Sequence, residues 1–278
     1  MSFGVFLAVL FAAFLHAGWN ALIKMGADKL GGMVMLSVAH GVLALPLALI
    51  SPWPSAETWP WLIGSGLIHF AYQVFLMLAY QHGDLSRVYP IARGTAPMLV
   101  LIVSMLALSD AITAPEVAGI LVLGGGIALM ARGVLTNGES RRMLPYAFGA
   151  ALATAGYTLT DGLGARASGE PVAYVGWLMI ASALFYAPAA VALKGRAVLR
   201  ASPRAWGLGM IAAAASFGAY AIAVWAMTRA PIALVGALRE TSILFAVLIG
   251  WVFFRERLDR GKLIAAALIV AGVMLTRL

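Results

Sequence analysis

Apolar runs of about twenty residues, broken by short polar stretches, recur from one end of the chain to the other. A helix needs ~20 mostly apolar residues to cross a bilayer. The pattern predicts ten such helices, at 3–23, 32–50, 59–80, 85–108, 116–131, 144–163, 172–193, 206–227, 231–254 and 261–276. The breaks carry turn chemistry: Ser51-Pro52-Trp53-Pro54, Asn137-Gly138, Ser168-Gly169-Glu170-Pro171 and Ser202-Pro203. All are short, so no soluble domain is expected between spans. The first run starts at Phe3 with no Lys or Arg before it, which favours a retained helix over a cleaved signal.

The pattern also repeats. A shift of 146 carries Arg93 to Arg239, Thr95 to Thr241, Asp110 to Glu256, Ile112 to Leu258, Gly126 to Gly272 and Leu129 to Leu275. A shift of 138 lays Ala17-Gly18-Trp19 on Ala155-Gly156-Tyr157. Five helices per half is an odd number, so the halves insert in opposite directions. The expected fold is an all-α membrane protein: ten transmembrane helices as two inverted five-helix repeats, 1–135 and 136–278. Inverted repeats that rock about a central site are a signature of transporters.

Composition supports the class. Of 278 residues, 63% are hydrophobic and 11% charged, and the mean hydropathy is +0.95; soluble domains carry about 25% charged residues. The net charge of +8 reflects topology, not a nucleic-acid partner. Lys24, Lys29, Arg87, Arg132, Arg141, Arg142, Lys194, Arg196, Arg200, Arg204, Arg255, Arg257, Arg260 and Lys262 flank alternate loops. Only Arg166, Arg229 and Arg277 lie on the other side. The positive-inside rule places the rich set in the cytoplasm and both termini outside. Trp53, Trp59 and Trp61 form a predicted aromatic belt. There is no cysteine, hence no disulfide and no thiolate metal site.

Arg93 and Arg239 each lie about 12 Å into a span at 1.5 Å per residue. A charge there costs at least ~2.5–3.5 kcal/mol, so each must face protein or a wet cavity. Either both reach a central cavity, or each is a structural arginine tied to carbonyls or a carboxylate. Glu240 is turned about 100° from Arg239 and needs another partner: a proton, a substrate amino group or an interhelical salt bridge. Asp161 falls near the predicted end of its helix, at the interface, as a second candidate counter-ion. His16 and Asn20 share one helix face, as do His69 and Gln73, with Tyr72 beside them. Trp19, Tyr72, Tyr89, Tyr157, Tyr174, Trp177, Tyr220 and Trp225 are aromatic candidates for a cavity wall; ordinary packing competes for each. Pro90 and Pro97 lie inside the fourth helix, and Pro97 frees the carbonyl of Arg93. That helix is expected to be the more bent of the matched pair and a candidate gate. Gly124-Gly125-Gly126 and the Gly272 region are packing stripes between halves or between protomers.

Several phrases carry a family resemblance: His16-Ala17-Gly18-Trp19-Asn20 with Lys24, Ala92-Arg93 through Leu108 with Asp110, Phe253-Phe254-Arg255-Glu256-Arg257-Leu258, and Leu268 through Val273. With them the chain resembles the EamA-type carriers of the drug/metabolite transporter superfamily. The resemblance covers the whole chain; its first-half counterpart of the Phe253 phrase is reduced to Ala107-Leu108-Ser109-Asp110. It implies ten helices, an internal duplication and secondary transport of small metabolites, often amino-acid export. Small multidrug exporters use a glutamate in their first helix; this chain has no acid there.

The residues favour a carrier of small carboxylates or amino acids. Arg93 and Arg239 would hold anionic groups, beside His16, Trp19, Asn20, Tyr72, Gln73, Tyr89, Tyr157, Trp177 and Tyr220. A proton or sodium ion is the candidate coupling ion, at Glu240 or Asp161. No cofactor, resident metal or nucleic acid is expected, and the oligomeric state is not readable. A bacterial inner membrane is the expected location. A choline-like cation carrier with an aromatic box and a lipid flippase or membrane enzyme are the alternatives. No catalytic constellation supports an enzyme.

Overall fold

A bilayer offers the backbone no hydrogen-bond partners, so a spanning apolar run must satisfy itself as a helix. In the computed structural model, which describes residues 1–24, 29–82, 92–136, 141–255 and 260–278, these runs are helical and the described residues contain no strand. The first half holds α1 (Phe3–Lys24), α2 (Lys29–Ile50), α3 (Trp59–His82), α4 (Ala96–Ala107) and α5 (Ala114–Thr136). The second holds α6 (Leu144–Ser168), α7 (Pro171–Lys194), α8 (Pro203–Met227), α9 (Ile232–Arg239), α10 (Ser242–Phe254) and α11 (Arg260–Leu275). Residues 92–94 are also helical. Tyr89 and Pro90, Arg87 and Arg257, the Asn137-Gly138 turn, and Glu256 with Leu258 lie outside the described residues. Five described helices are long and apolar enough to cross a membrane, at Phe3–Ile23, Trp59–Ala79, Pro171–Ala192, Pro203–Met227 and Ile232–Phe253.

Capping chemistry moves several boundaries. Thr113 and Glu116 form a reciprocal capping box: the Thr113 N–H donates to Glu116 Oε2 at 2.9 Å and the Glu116 N–H to Thr113 Oγ1 at 3.4 Å. The helix expected from 116 therefore starts at Ala114. Ser202 caps α8, its Oγ accepting from the Ala205 N–H at 3.2 Å. Gly169, at φ 71°, ends α6. The helix expected to stop at 163 thus runs to Ser168, and Asp161, expected at the interface, is fully buried.

The two matched helices are both interrupted, at the same repeat position. Residues 92–94 and α4 are separated at Thr95, where Pro97 removes an N–H. α9 and α10 are separated at Glu240-Thr241 with no proline present. There the backbone tightens into three-residue turns, Glu240 N–H to Ala237 O at 3.0 Å and Thr241 N–H to Leu238 O at 3.1 Å. The Thr241 hydroxyl also donates to Leu238 O at 2.7 Å.

The heaviest packing crosses the halves: α1 on α8, α3 on α6, α2 on α7, α5 on α11. Between α5 and α11 the approach is closest. A Cβ on Gly272 would stand 2.6 Å from the Gly119 carbonyl oxygen, and one on Gly126 2.9 Å from the Ala265 carbonyl oxygen. The 146 shift exchanges these two contacts, taking Gly126 to Gly272 and Gly119 to Ala265, so they are related by a two-fold. The stripe packs between halves. Helix association in lipid rests on such close contact. Gly272→Leu must push backbone away and is expected to destabilise by about 1–3 kcal/mol or more. Thermal unfolding in detergent measures it; an unchanged melt would contradict this packing.

The exterior is apolar, and a mostly apolar interior encloses a few buried charges. Leu106, Phe253 and Leu49 are more than 70% exposed, whereas Arg93, Asp161 and Glu240 are 4% exposed or less. α9 is buried on every face.

Candidate functional site

One face of α6 builds the floor of a chamber. Thr154, Tyr157, Thr158 and Asp161 fall at i, i+3, i+4 and i+7 and so lie in line. The two threonine hydroxyls are turned to their own helix, donating to Ala150 O and Thr154 O at 2.8 and 2.7 Å. The broken segments face them. Arg93, Ala96, Pro97, Val100, Gly236, Arg239 and Glu240 close a cavity with Thr154, Tyr157 and Thr158. Its volume is about 10 Å³, room for roughly one water. The site is closed.

The arginines differ. Arg93 is clamped by Glu240, with Nε–Oε2 at 3.1 Å and Nη2–Oε1 at 3.0 Å. Both side chains are about 5% exposed or less. Arg239 stands over the Tyr220 ring at 5.1 Å from its centroid. Among the described residues no carboxylate forms an ion pair with it. The 146 shift explains the asymmetry: the position equivalent to Glu240 is Gly94. A Cβ there would meet the Ile127 side chain at 2.7 Å, so the first repeat has no room for a second carboxylate.

Next to the chamber lies a second polar cluster. Asp161 Oδ1 accepts from the Tyr174 hydroxyl at 3.1 Å. Its Oδ2 accepts from the Tyr220 hydroxyl and pairs with His69 Nε2 at 3.1 Å. His69 stacks on Tyr157 at 4.1 Å, and Tyr72 meets Tyr157 edge-on at 5.7 Å. Tyr220 and Tyr157 thereby belong to both groups.

The other candidates distribute as follows. His16 meets the Trp19 ring edge-on at 5.2 Å. Trp19 donates to His16 Nδ1 at 3.3 Å and packs with Leu36, Ala39, Ala212 and Ala213. Asn20 is tied to its own helix, donating to His16 O at 2.7 Å. Gln73 has a buried Oε1 without a partner. Trp177 stands apart, against Trp53 at 4.5 Å and Trp59 at 6.2 Å. It lines a separate cavity of about 110 Å³ between the 51–58 loop and the start of α7.

That end of the molecule is tied shut. Arg166 grips Asp110 with both terminal nitrogens, at 2.7 and 3.1 Å, and donates to Met227 O and Ala230 O at 2.8 and 3.1 Å. Asp110 Oδ2 also accepts the Ile232 N–H that opens α9. Sequence reasoning passed over this clamp, and Thr154 and Thr158 as well. The 3.6-residue spacing of the α6 polar residues was the signal for the latter; the clamp joins the end of α6 to the segments around Asp110 and Ala230 and left none.

Interrupted helices around a polar chamber, an apolar exterior and a two-fold between halves define a multi-pass, two-repeat membrane transporter. The chain matches the EamA-like transporter family over residues 2–132 and again over 141–278. It belongs to that family, within the drug/metabolite transporter superfamily. A solved crystal structure of a protein shares the fold, with a TM-score of 0.79 at 20% identity over 99% of this chain and 98% of that one. No curated protein matches the chain.

Proposed function

We propose that the protein is a secondary transporter of small organic metabolites, amino acids or related carboxylates, working by alternating access and not as an enzyme. Arg239 carries the reading. It is a buried cation in a membrane, lining a chamber, and among the described residues no acid is ion-paired with it. An uncompensated buried charge is costly, and an arginine fork matches a carboxylate in charge and shape. Arg93, held by Glu240, forms the opposite wall and is the second anion contact once the chamber opens. The proline at 97 and the Thr241 turn are the points about which the broken helices open.

The cation alternative is weaker, because the aromatic faces are already used. Tyr220 holds the Arg239 guanidinium and Tyr157 the His69 ring. The reading includes ten transmembrane helices as two inverted five-helix repeats divided near residue 135. It places the protein in a bacterial inner membrane, the basic loops in the cytoplasm and both termini outside. The family resemblance favours export.

The test is a thermal-shift screen of the purified protein against amino acids and carboxylates at fixed salt, followed by counterflow in proteoliposomes. A ligand present at a hundred times its Kd should stabilise by about 2.7 kcal/mol. Stabilisation by carboxylates, with matching counterflow, is expected; stabilisation by organic cations alone would overturn the proposal.

A further inference from the structure

We propose that the cavity between the 51–58 loop and the start of α7 is a second ligand site, which holds an organic ammonium group. It stands apart from the chamber and does not rest on the reading of Arg239.

This cavity has a volume of about 110 Å³ against about 10 Å³ for the chamber. It has room for several waters, or for a compact head group in their place. Three segments build its walls. The loop brings Trp53 between Pro52 and Pro54, whose rings restrict the backbone on either side. α6 ends there at Ser168. α7 brings Glu170, Ala173, Tyr174 and Trp177, which fall at i, i+3, i+4 and i+7 and so stand in line on one face.

The rings form walls and not a stack. Trp53 and Trp177 meet at 82° with centroids 4.5 Å apart, and Trp59 closes on them at 6.5 and 6.2 Å. Trp53 is 72% exposed, so most of its surface is free to meet a ligand. The Tyr174 hydroxyl is spent on Asp161, which leaves its ring to line the cavity.

Charge selects the occupant. The Glu170 side chain does not cap its own helix, and among the described residues no basic side chain pairs with it. Residues 51–58 and 167–173 contain no Lys or Arg. Arg166, one turn back, is taken by Asp110 and two carbonyls. The hydroxyls are engaged too: Ser55 with Thr58, and Ser168 with Ala165 O and the Glu170 N–H. The N-terminus of α7 adds about half a positive charge, which the full charge of Glu170 outweighs.

An anion in this cavity would meet a carboxylate and no cation. A calcium ion takes six or more oxygens at about 2.3–2.6 Å, and one carboxylate does not supply them. A substituted ammonium fits. Indole faces attract its charge, its methyl groups leave water against the rings, and Glu170 is the counter-ion. Such a group occurs on free solutes and on zwitterionic lipid head groups, and tryptophans at a membrane interface meet both.

The test uses purified full-length protein in a maltoside detergent, with choline as the probe and neohexyl alcohol, its uncharged isostere, as the control. Isothermal titration at fixed ionic strength is expected to show saturable choline binding, with the alcohol about tenfold weaker or more. Glu170→Gln and Trp53→Leu alter exposed side chains, so both variants should fold. Each should weaken choline by about three- to thirtyfold and leave thermal stabilisation by carboxylates unchanged. Absent choline binding, choline binding indifferent to both substitutions, or equal binding of the alcohol would overturn the proposal. Loss of the carboxylate response from every form, wild type included, would instead defeat the chamber reading. Nanodiscs then identify the source. Choline binding weaker in phosphatidylcholine than in phosphatidylglycerol discs places a lipid head group in the site; equal binding in both places a free solute there.

Discussion

Arg239→Gln is expected to weaken carboxylate binding by two to three orders of magnitude and to abolish counterflow, while the protein still purifies as a folded monodisperse species. A lost partner in a buried charge pair costs about 3–5 kcal/mol, and each 1.4 kcal/mol is about a factor of ten. Glutamine keeps much of the stem that rests on Tyr220 and can still donate one hydrogen bond. It therefore separates charge from packing. Arg239→Lys should fall between the two, because an ammonium keeps the charge but not the two-pronged fork. The rival cation carrier predicts the opposite sign. Removing a positive charge from the wall would tighten the binding of an organic cation, and the damaging substitutions would be those of Tyr157 or Trp19. Counterflow of radiolabelled solute, measured for the wild type and both Arg239 variants, decides. Undiminished carboxylate transport by Arg239→Gln would remove the central residue from the mechanism.

Arg93→Gln alone is expected to be among the most destabilising single changes in the chain, by about 3–5 kcal/mol, because it strands the Glu240 carboxylate in the membrane interior. The double variant Arg93→Gln with Glu240→Gln should recover most of that loss. Two amides can hydrogen-bond to each other, and no buried charge remains. Glu240→Gln alone strands Arg93, and its loss should be smaller since the Arg93 stem can turn its head group toward the chamber. A double-mutant cycle in equilibrium unfolding gives the coupling directly. If the double variant's loss equals the sum of the two single losses, the coupling is zero and the pair contributes no ionic interaction. The ion pair links the Arg93 segment to the break after α9, so its strength also sets how readily the two halves part. A weakened pair with preserved folding should speed solute exchange.

The periodicity of the chain placed the helices expected at 3–23, 59–80, 172–193 and 206–227 within a few residues. It failed where side chains act on the backbone. Thr113 with Glu116 advances one helix start, Gly169 postpones one helix end, and the three-residue turns at Glu240 and Thr241 interrupt a helix that has no proline. Each of these is a local hydrogen bond or a positive φ, invisible to a hydropathy count. The repeat register of 146 was legible and matched Gly126 to Gly272, but it left open whether those stripes pack between halves or between protomers. It also marked the two arginines as equals.

Taken alone, the order of residues settles the membrane class, the duplication and the presence of costly intramembrane charges, because each follows from composition and spacing along the chain. Which charge meets which group is a matter of distance between segments far apart in sequence. Arg93 and Glu240 lie 147 residues apart and form a two-point ion pair. Asp161 meets a histidine 92 residues before it and a tyrosine 59 after it. Packing across the two-fold turned a matched pair of arginines into one neutralised and one left facing the chamber. It did so because only the second repeat had space for a carboxylate beside its partner's guanidinium.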